Sequence, residues 1–259
     1  MMKTVLISGA TTGIGYDLAH LFGKDKNNLL LIARNEDKLN EVARELITKY
    51  SITVNVLKAD LSDLNSPKKI YGFAKSKGLF IETLVNNAGF GSNGKFHELP
   101  LEEEINMIRV NITSLVYLCR LFLPEMIQNN EGKILNVAST AGFQPGPFMS
   151  NYYATKAYVL HFTEGLAVEL KNTKIKVSAL CPGATITEFQ NRANIDNTLL
   201  FKGPFVMDSP TVAKIGYEGL LKGKTIVIPG IMNKLLALSV GFSPRILIRT
   251  IAGRLNSSR

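Results

Sequence analysis

Short apolar runs alternate with longer stretches of helical period from one end of the chain to the other. Thr4–Ser8, Leu29–Ala33, Thr53–Lys58, Thr83–Asn86, Lys133–Val137, Lys176–Leu180 and Thr225–Ile228 are rich in Val, Ile and Leu and show little polar alternation. Such runs predict strands covered on both faces. Helical periodicity fills the gaps, most clearly over Asp37–Tyr50, Glu102–Met126 and Tyr152–Lys171. Strand and helix alternating at this spacing predict a parallel sheet with right-handed crossovers. The expectation is one doubly wound α/β domain of about seven strands with helices on both faces. Two stretches break the rhythm. Thr185–Met207 is long and irregular, with Asn191, Asn194 and Asn197 among Phe189, Ile195, Leu199, Leu200 and Phe201, and a loop of that length suits a lid. Beyond Pro229, Ile231–Val240 and Pro244–Leu255 form two short amphipathic helical patterns separated by Gly241 and Pro244. The chain therefore divides into a main domain over 1–230 and a C-terminal extension over 231–259.

Composition narrows the class. The 259 residues are 46% hydrophobic and 20% charged, an ordinary globular balance. Cys119 and Cys181 sit singly in apolar runs, with no disulfide framework, so a reducing cytoplasm is expected. His20, His97 and His161 are scattered without metal-ligand spacing, and no metal is expected. The N-terminal apolar run is too short for a signal peptide, and no stretch reaches bilayer-spanning length. The net charge is +9, and the segment from Gly230 onward holds Lys234, Arg245, Arg249, Arg254 and Arg259 with no acidic residue. A solvated cationic face, with an anionic ligand elsewhere, explains this better than nucleic-acid binding.

The first strand runs into Gly9, Thr11, Thr12, Gly13, Ile14 and Gly15, and a helix follows. Glycines at such a turn let the backbone approach a pyrophosphate, and the helix N-terminus offers free N–H groups and a positive dipole end. The GxxxGxG spacing departs from the general GxGxxG fingerprint, so its weight comes from its place after the first strand. In such a fold the second strand ends near the adenosine ribose of a dinucleotide. Here it ends in Ala33-Arg34-Asn35, with no carboxylate at the tip. Arg34 suits a 2′-phosphate, which favours NADP(H) over NAD(H), although a solvent-facing strand end would read the same way. Asp60 closes the third strand before Leu61, where it can meet the adenine amino group or equally cap a helix.

Tyr152 and Lys156 are four residues apart and share a helix face. An ammonium beside a phenol favours the phenolate, which normally forms near pH 10. A Tyr-x-x-x-basic pair arises easily by chance. Ser139 strengthens it, because it follows a strand at the carboxyl edge of the sheet, where open α/β folds bind ligands. Standing alone, Ser139 would be a turn serine.

Gly9-x-x-x-Gly13-x-Gly15, Asn86-Asn87-Ala88-Gly89, Asn111, Ser139, Tyr152-x-x-x-Lys156 and Pro182-Gly183 stand in the order and spacing of short-chain dehydrogenases/reductases, a Rossmann-fold family that the chain resembles over residues 3–230. The resemblance implies an NAD(P)-dependent oxidoreductase with Tyr152 as general acid/base. It implies that Lys156 lowers the phenol's pKa and binds the nicotinamide ribose, that Ser139 orients the carbonyl, and that Asn111 holds a water linking Lys156 to solvent. Asn87, Ala88 and Gly89 would line the cofactor cleft, and Pro182, Gly183, Thr185 and Thr187 would seat the carboxamide. The chain is also similar to a bacterial subgroup with a basic hydrophobic tail, whose members share Asn86–Gly91 and Ser139–Pro147. Tyr153 has Ala157 four residues on, so Tyr152 is the tyrosine with the lysine partner.

Phe90, Ser139, Phe143, Phe148, Met149, Phe189 and the loop through Phe205 are the expected substrate wall, apolar and without a charged anchor. They point to a lipophilic aldehyde, ketone or alcohol. Family habit implies a dimer or tetramer. For the tail, packing over the loop or at a subunit interface ranks ahead of resting on a membrane surface. Rival readings are an NAD(H)-dependent dehydrogenase and a non-catalytic NADP(H)-binding module.

Overall fold

The computed structural model describes residues 2–193, 195, 198–201 and 205–257. In chain order its elements are β1 (Met2–Ser8), α1 (Gly13–Lys24), β2 (Asn28–Ala33), α2 (Glu36–Tyr50), β3 (Val54–Lys58), α3 (Ser66–Ser76), β4 (Leu79–Asn86), α4 (Leu101–Ile108), α5 (Ser114–Asn129), β5 (Gly132–Val137), α6 (Ser150–Glu169), β6 (Ile175–Leu180), β7 (Thr185–Ile186), α7 (Phe189–Ala193), β8 (Met207–Asp208), α8 (Ser209–Leu221), β9 (Ile226–Val227), α9 (Ile231–Val240) and α10 (Arg245–Asn256). The main sheet is parallel, in the order β3-β2-β1-β4-β5-β6-β9. The order reverses between β1 and β4, which opens a crevice at their carboxyl ends.

The near-continuous apolar runs follow from covering on both sides. Along β1, Leu6 faces one core layer while Val5 and Ile7 face the other; along β2, Leu30 and Ile32 oppose Leu29 and Leu31. The first layer is closed by side chains of α3, α5 and α6, and the second by those of α1, α2 and α8. The two central strand ends are tied by polar groups. The Ser8 hydroxyl donates to the Val85 carbonyl and accepts from the Asn87 and Ala88 amides. Asn87 Nδ2 donates to the Ser8 and Gly9 carbonyls, both at 3.0 Å. Below the crevice, Asn86 Nδ2 donates to Asn136 Oδ1 and Asn136 Nδ2 to Thr163 Oγ1, each at 2.9 Å, which joins β4, β5 and α6 inside the core.

The pattern read as one helix over Glu102–Met126 is continuous from Leu101 to Asn129, but it is interrupted by a π-helical turn at Arg109–Thr113. This helix is long and apolar enough to cross a bilayer, contrary to the expectation that no stretch would be. Its Leu115, Leu118, Cys119, Phe122 and Met126 are instead packed into the first core layer. The tail helices fall where the pattern put them.

Replacing Ser8, which is 1% exposed, by alanine leaves two part-buried amides without their acceptor. The expected cost is about 1–3 kcal/mol, seen as a fall of several degrees in melting temperature. Unchanged melting of Ser8→Ala would show that the clamp adds nothing to stability.

Candidate active site

The crevice is built first by glycine. Gly9 takes φ +68° and Gly13 φ +56°, conformations that side chains disfavour. A Cβ on Gly15 would lie 2.2 Å from the Gly9 carbonyl oxygen and 2.4 Å from Asn87 Nδ2. The turn therefore closes only if these positions carry no side chain. Thr12 precedes α1 without making a side-chain cap, so the first-turn amides of that helix remain open to a ligand. Gly9, Thr11, Thr12, Gly13 and Ile14 line a cavity of about 390 Å³ together with Asn87, Ala88, Gly89, Ser139, Tyr152, Lys156, Pro182, Gly183, Thr185 and Thr187. Gly15 lies behind this wall and sets its shape.

A second cavity of about 320 Å³ adjoins the first through Gly9, Arg34, Ala88 and Gly89, and reaches Asp60 and Leu61. Asp60 Oδ1 accepts from the Ser62 amide and hydroxyl, a turn cap rather than a helix cap, since Asn65 precedes α3. Arg34 stands where the two cavities meet. So does Arg192 of α7, which no motif singles out. Its guanidinium lies 3.9 Å from the centre of the Phe90 ring. Burial lowers its pKa, the positive charge of Arg34 lowers it further, and Glu103 and Asp60 oppose them. Two cations therefore flank the same end of the crevice. Arg34 was expected at this end, and Arg192 joins it.

The other end carries the reacting groups. Ser139 lies two residues beyond β5, its Oγ 3.1 Å from the Ala141 amide and 3.3 Å from the Pro182 carbonyl. Lys156 Nζ donates to the Val137 carbonyl at 2.8 Å and lies 5.8 Å from the centre of the Tyr152 ring. Burial pulls the Lys156 ammonium down to about 8, with Cys181 opposing. Burial also pushes the Tyr152 phenol above its ordinary value, against a hydrogen bond from Ser139 that favours the phenolate. Lys156, expected to lower the phenol, turns its ammonium to the Val137 carbonyl, and burial sets the direction of the Tyr152 shift.

Asn111 sits in the π-helical turn, where the helix widens beside the site. Its Nδ2 donates to the Phe90 carbonyl at 2.9 Å and to Thr155 Oγ1 at 3.0 Å, and its Oδ1 accepts from the Phe90 amide at 3.1 Å. A Cβ on Gly89 would touch both Asn111 Oδ1 and Lys156 Nζ, so Gly89 lets these two groups approach. The Asn111 side chain thus braces the strand β4 turn against α6.

Of the expected substrate wall, Met149 and Phe189 line the first cavity, with Phe189 5.2 Å from Tyr152 between ring centres. Phe143 does not line it: the ring is packed against the first core layer. Phe148 does not either. It adopts φ +66°, is 37% exposed, and its carbonyl is held by the Gly94 amide. Phe90 lies on the second cavity instead. Tyr153, Gln144, Ile195 and Phe201 complete the first wall. The Tyr153 hydroxyl is 3.2 Å from Oδ1 of Asn256, the last residue of α10, whose Nδ2 donates to the Pro147 carbonyl. The tail therefore packs on the site through Asn256, which no sequence motif announced. Asn194, Asn197 and the side chain of Leu200 lie outside the described residues.

Residues 3–198 match the family model for short chain dehydrogenases. The chain belongs to the short-chain dehydrogenase family. A short-chain dehydrogenase from Sphingobium yanoikuyae, solved with NADPH, superposes with a TM-score of 0.83 at 32% identity, over 93% of this chain and 94% of that one. An NADP-dependent 3-hydroxy acid dehydrogenase of Schizosaccharomyces pombe is 32% identical over 87% of this chain and 90% of its own length. A very-long-chain 3-oxoacyl-CoA reductase of Danio rerio is 36% identical over 70% of this dehydrogenase, which spans 58% of that protein.

The lowered pKa of Lys156 has a measurable sign. With a folded value of about 8 and an ordinary one of 10.5, the unfolded chain binds the extra proton between these limits. Stability from this residue therefore rises with pH across that window. Denaturant titrations from pH 8 to 10 should show the wild type gaining on Lys156→Met as pH rises. A constant difference would mean the ammonium keeps its ordinary affinity for protons.

Proposed function

We propose that this enzyme moves hydride between NADP(H) and a lipophilic carbonyl or alcohol. One observation carries the reading: a single crevice has Ser139, Tyr152 and Lys156 at one end, beneath apolar walls, and Arg34 with Arg192 at the other. The glycine turn and the open helix end fit the diphosphate of a dinucleotide, because without side chains at Gly9 and Gly15 the turn packs against Asn87 and Ala88 and leaves the uncapped first turn of α1 facing the cavity. The paired guanidinium groups suit a 2′-phosphate. NADPH, when bound, supplies the hydride. The NADP dependence of the fission-yeast relative and the NADPH in the Sphingobium structure support this choice.

The chain's own groups supply the rest. Tyr152, held protonated by burial, gives its proton to the carbonyl oxygen as that oxygen gains charge. Ser139, hydrogen-bonded to Tyr152, holds the same oxygen. Lys156 places a positive charge beside the phenolate left behind, and Asn111 fixes the turn over both. Met149, Tyr153, Phe189, Ile195 and Phe201 exclude water and favour an apolar substrate.

The test is NADPH oxidation against lipophilic and small polar aldehydes and ketones. Turnover of the lipophilic set is expected, and turnover of small polar carbonyls alone would overturn the substrate class. Tyr152→Phe should lower kcat by about 10²–10⁴-fold while NADPH still binds. Undiminished turnover would remove Tyr152 from the chemistry.

Arg192→Met should weaken NADPH binding by about 10-fold or more and leave NADH binding nearly unchanged, since a hydrogen bond to a charged group is worth about 1.5–3 kcal/mol. Equal weakening of both cofactors would place Arg192 away from the 2′-phosphate.

A further inference from the structure

The two tail helices are built inside out. In α9 the residues turned to the protein are Asn233 and Ala237, while Ile231, Met232, Leu235, Leu236 and Leu238 face outward. In α10 Ala252 and Asn256 are buried with Ile248, while Ile246, Leu247 and Ile251 face outward. Phe242, at the turn between them, is 92% exposed, and Ile231 is 82% exposed. A helix resting on a protein surface in water normally does the reverse. Apolar side chains gathered on an outer face mark a surface that meets something apolar.

The inner face already has its partners. Asn233 Nδ2 donates to the Pro229 carbonyl at 3.0 Å, and Asn256 holds Tyr153, Pro147 and Asn93. Lid packing therefore accounts for the buried side of the tail and leaves the other side unexplained. The charges on that side are Lys234, Arg245, Arg249 and Arg254, all exposed, with no acidic residue from Gly230 onward. A second copy meeting this face about a two-fold axis would oppose like charges around the apolar patch.

We propose that the outer face of α9 and α10 docks on an anionic lipid bilayer. Ile231, Leu235, Leu238, Phe242, Leu247 and Ile251 enter the boundary between headgroups and acyl chains. The lysine and arginines reach the lipid phosphates along their aliphatic stems. This assignment is independent of the substrate reading. It also gives that reading a route, because the inner face of the same helices lies on Tyr153 and on the turn Leu199–Phe201 beside the first cavity.

The test is flotation of the purified full chain with phosphatidylcholine vesicles, with and without phosphatidylglycerol. The protein is expected to float with the anionic vesicles, less so in high salt, and hardly at all with pure phosphatidylcholine. Phe242→Ser should weaken partitioning. Arg245→Gln with Arg249→Gln should weaken it roughly 30-fold, from two surface charges at about 1 kcal/mol each. These residues are exposed and outside the site, so melting temperature and NADPH turnover in solution should be unchanged. Absence of flotation, or flotation indifferent to these substitutions, overturns the proposal. So does sedimentation showing a dimer that Phe242→Ser dissociates without vesicle binding, which would assign the face to a second copy.

Discussion

A buried ammonium is the constraint around which the site is arranged. Lys156 is 5% exposed, and its side-chain hydrogen bond is to one backbone carbonyl, that of Val137. A charge taken out of water at this depth is costly unless hydrogen-bonding groups surround it, and its own proton affinity falls in consequence. The surroundings are organised to tolerate it. Gly89 admits the Asn111 amide oxygen and the ammonium to the same spot, and the π-helical turn brings Asn111 out of register with the rest of its helix. The same desolvation that weakens the lysine's hold on its proton strengthens that of Tyr152. Burial therefore drives the two proton affinities apart, so that Tyr152 keeps its proton for the substrate oxygen and Lys156 stands beside it as the cation.

The rest of the crevice stands on the sheet, against which α6 packs. Gly9, Arg34, Asp60, Asn87, Ser139 and Pro182 each follow the carboxyl end of a different strand, so parallel pairing alone brings them to one edge. The Ser8–Asn87 clamp fixes the spacing of the two central strand ends, and the glycine turn fits into the remaining gap.

This is why the centre of the site is legible in the sequence. Motif residues at strand ends inherit their positions from a topology that the alternation of apolar runs already predicts. The reading weakens where position depends on packing. Phe143 and Phe148 sit close to Ser139 in the chain, yet one turns into the core and the other to solvent, because a 3-10 turn at Thr140–Phe143 and a left-handed residue redirect them. Arg192 and Asn256 belong to no strand end and no motif. Their places are set by an irregular loop and a distant helix, which periodicity cannot locate. The π-helical turn is equally invisible, since five residues of wider helix leave an apolar pattern almost unchanged.

Chemistry and selection are thus held by different parts of the molecule. Tyr152 and Lys156 are fixed by α6, which packs on the buried strands β5 and β6, and Ser139 by the end of β5. The substrate cavity's outer wall comes from Phe189, Ile195 and Phe201, which lie outside the sheet and pack with Met149 and Tyr153. The tail bears on it from outside: α10 packs on the turn Leu199–Phe201, and Asn256 reaches past it to Tyr153. Whatever holds the tail in place therefore also acts on the loop, and through Tyr153 on the residue beside the acid. A contact at the outer face of α9 and α10 would therefore bear on the wall that selects the substrate while leaving Ser139, Tyr152 and Lys156 untouched.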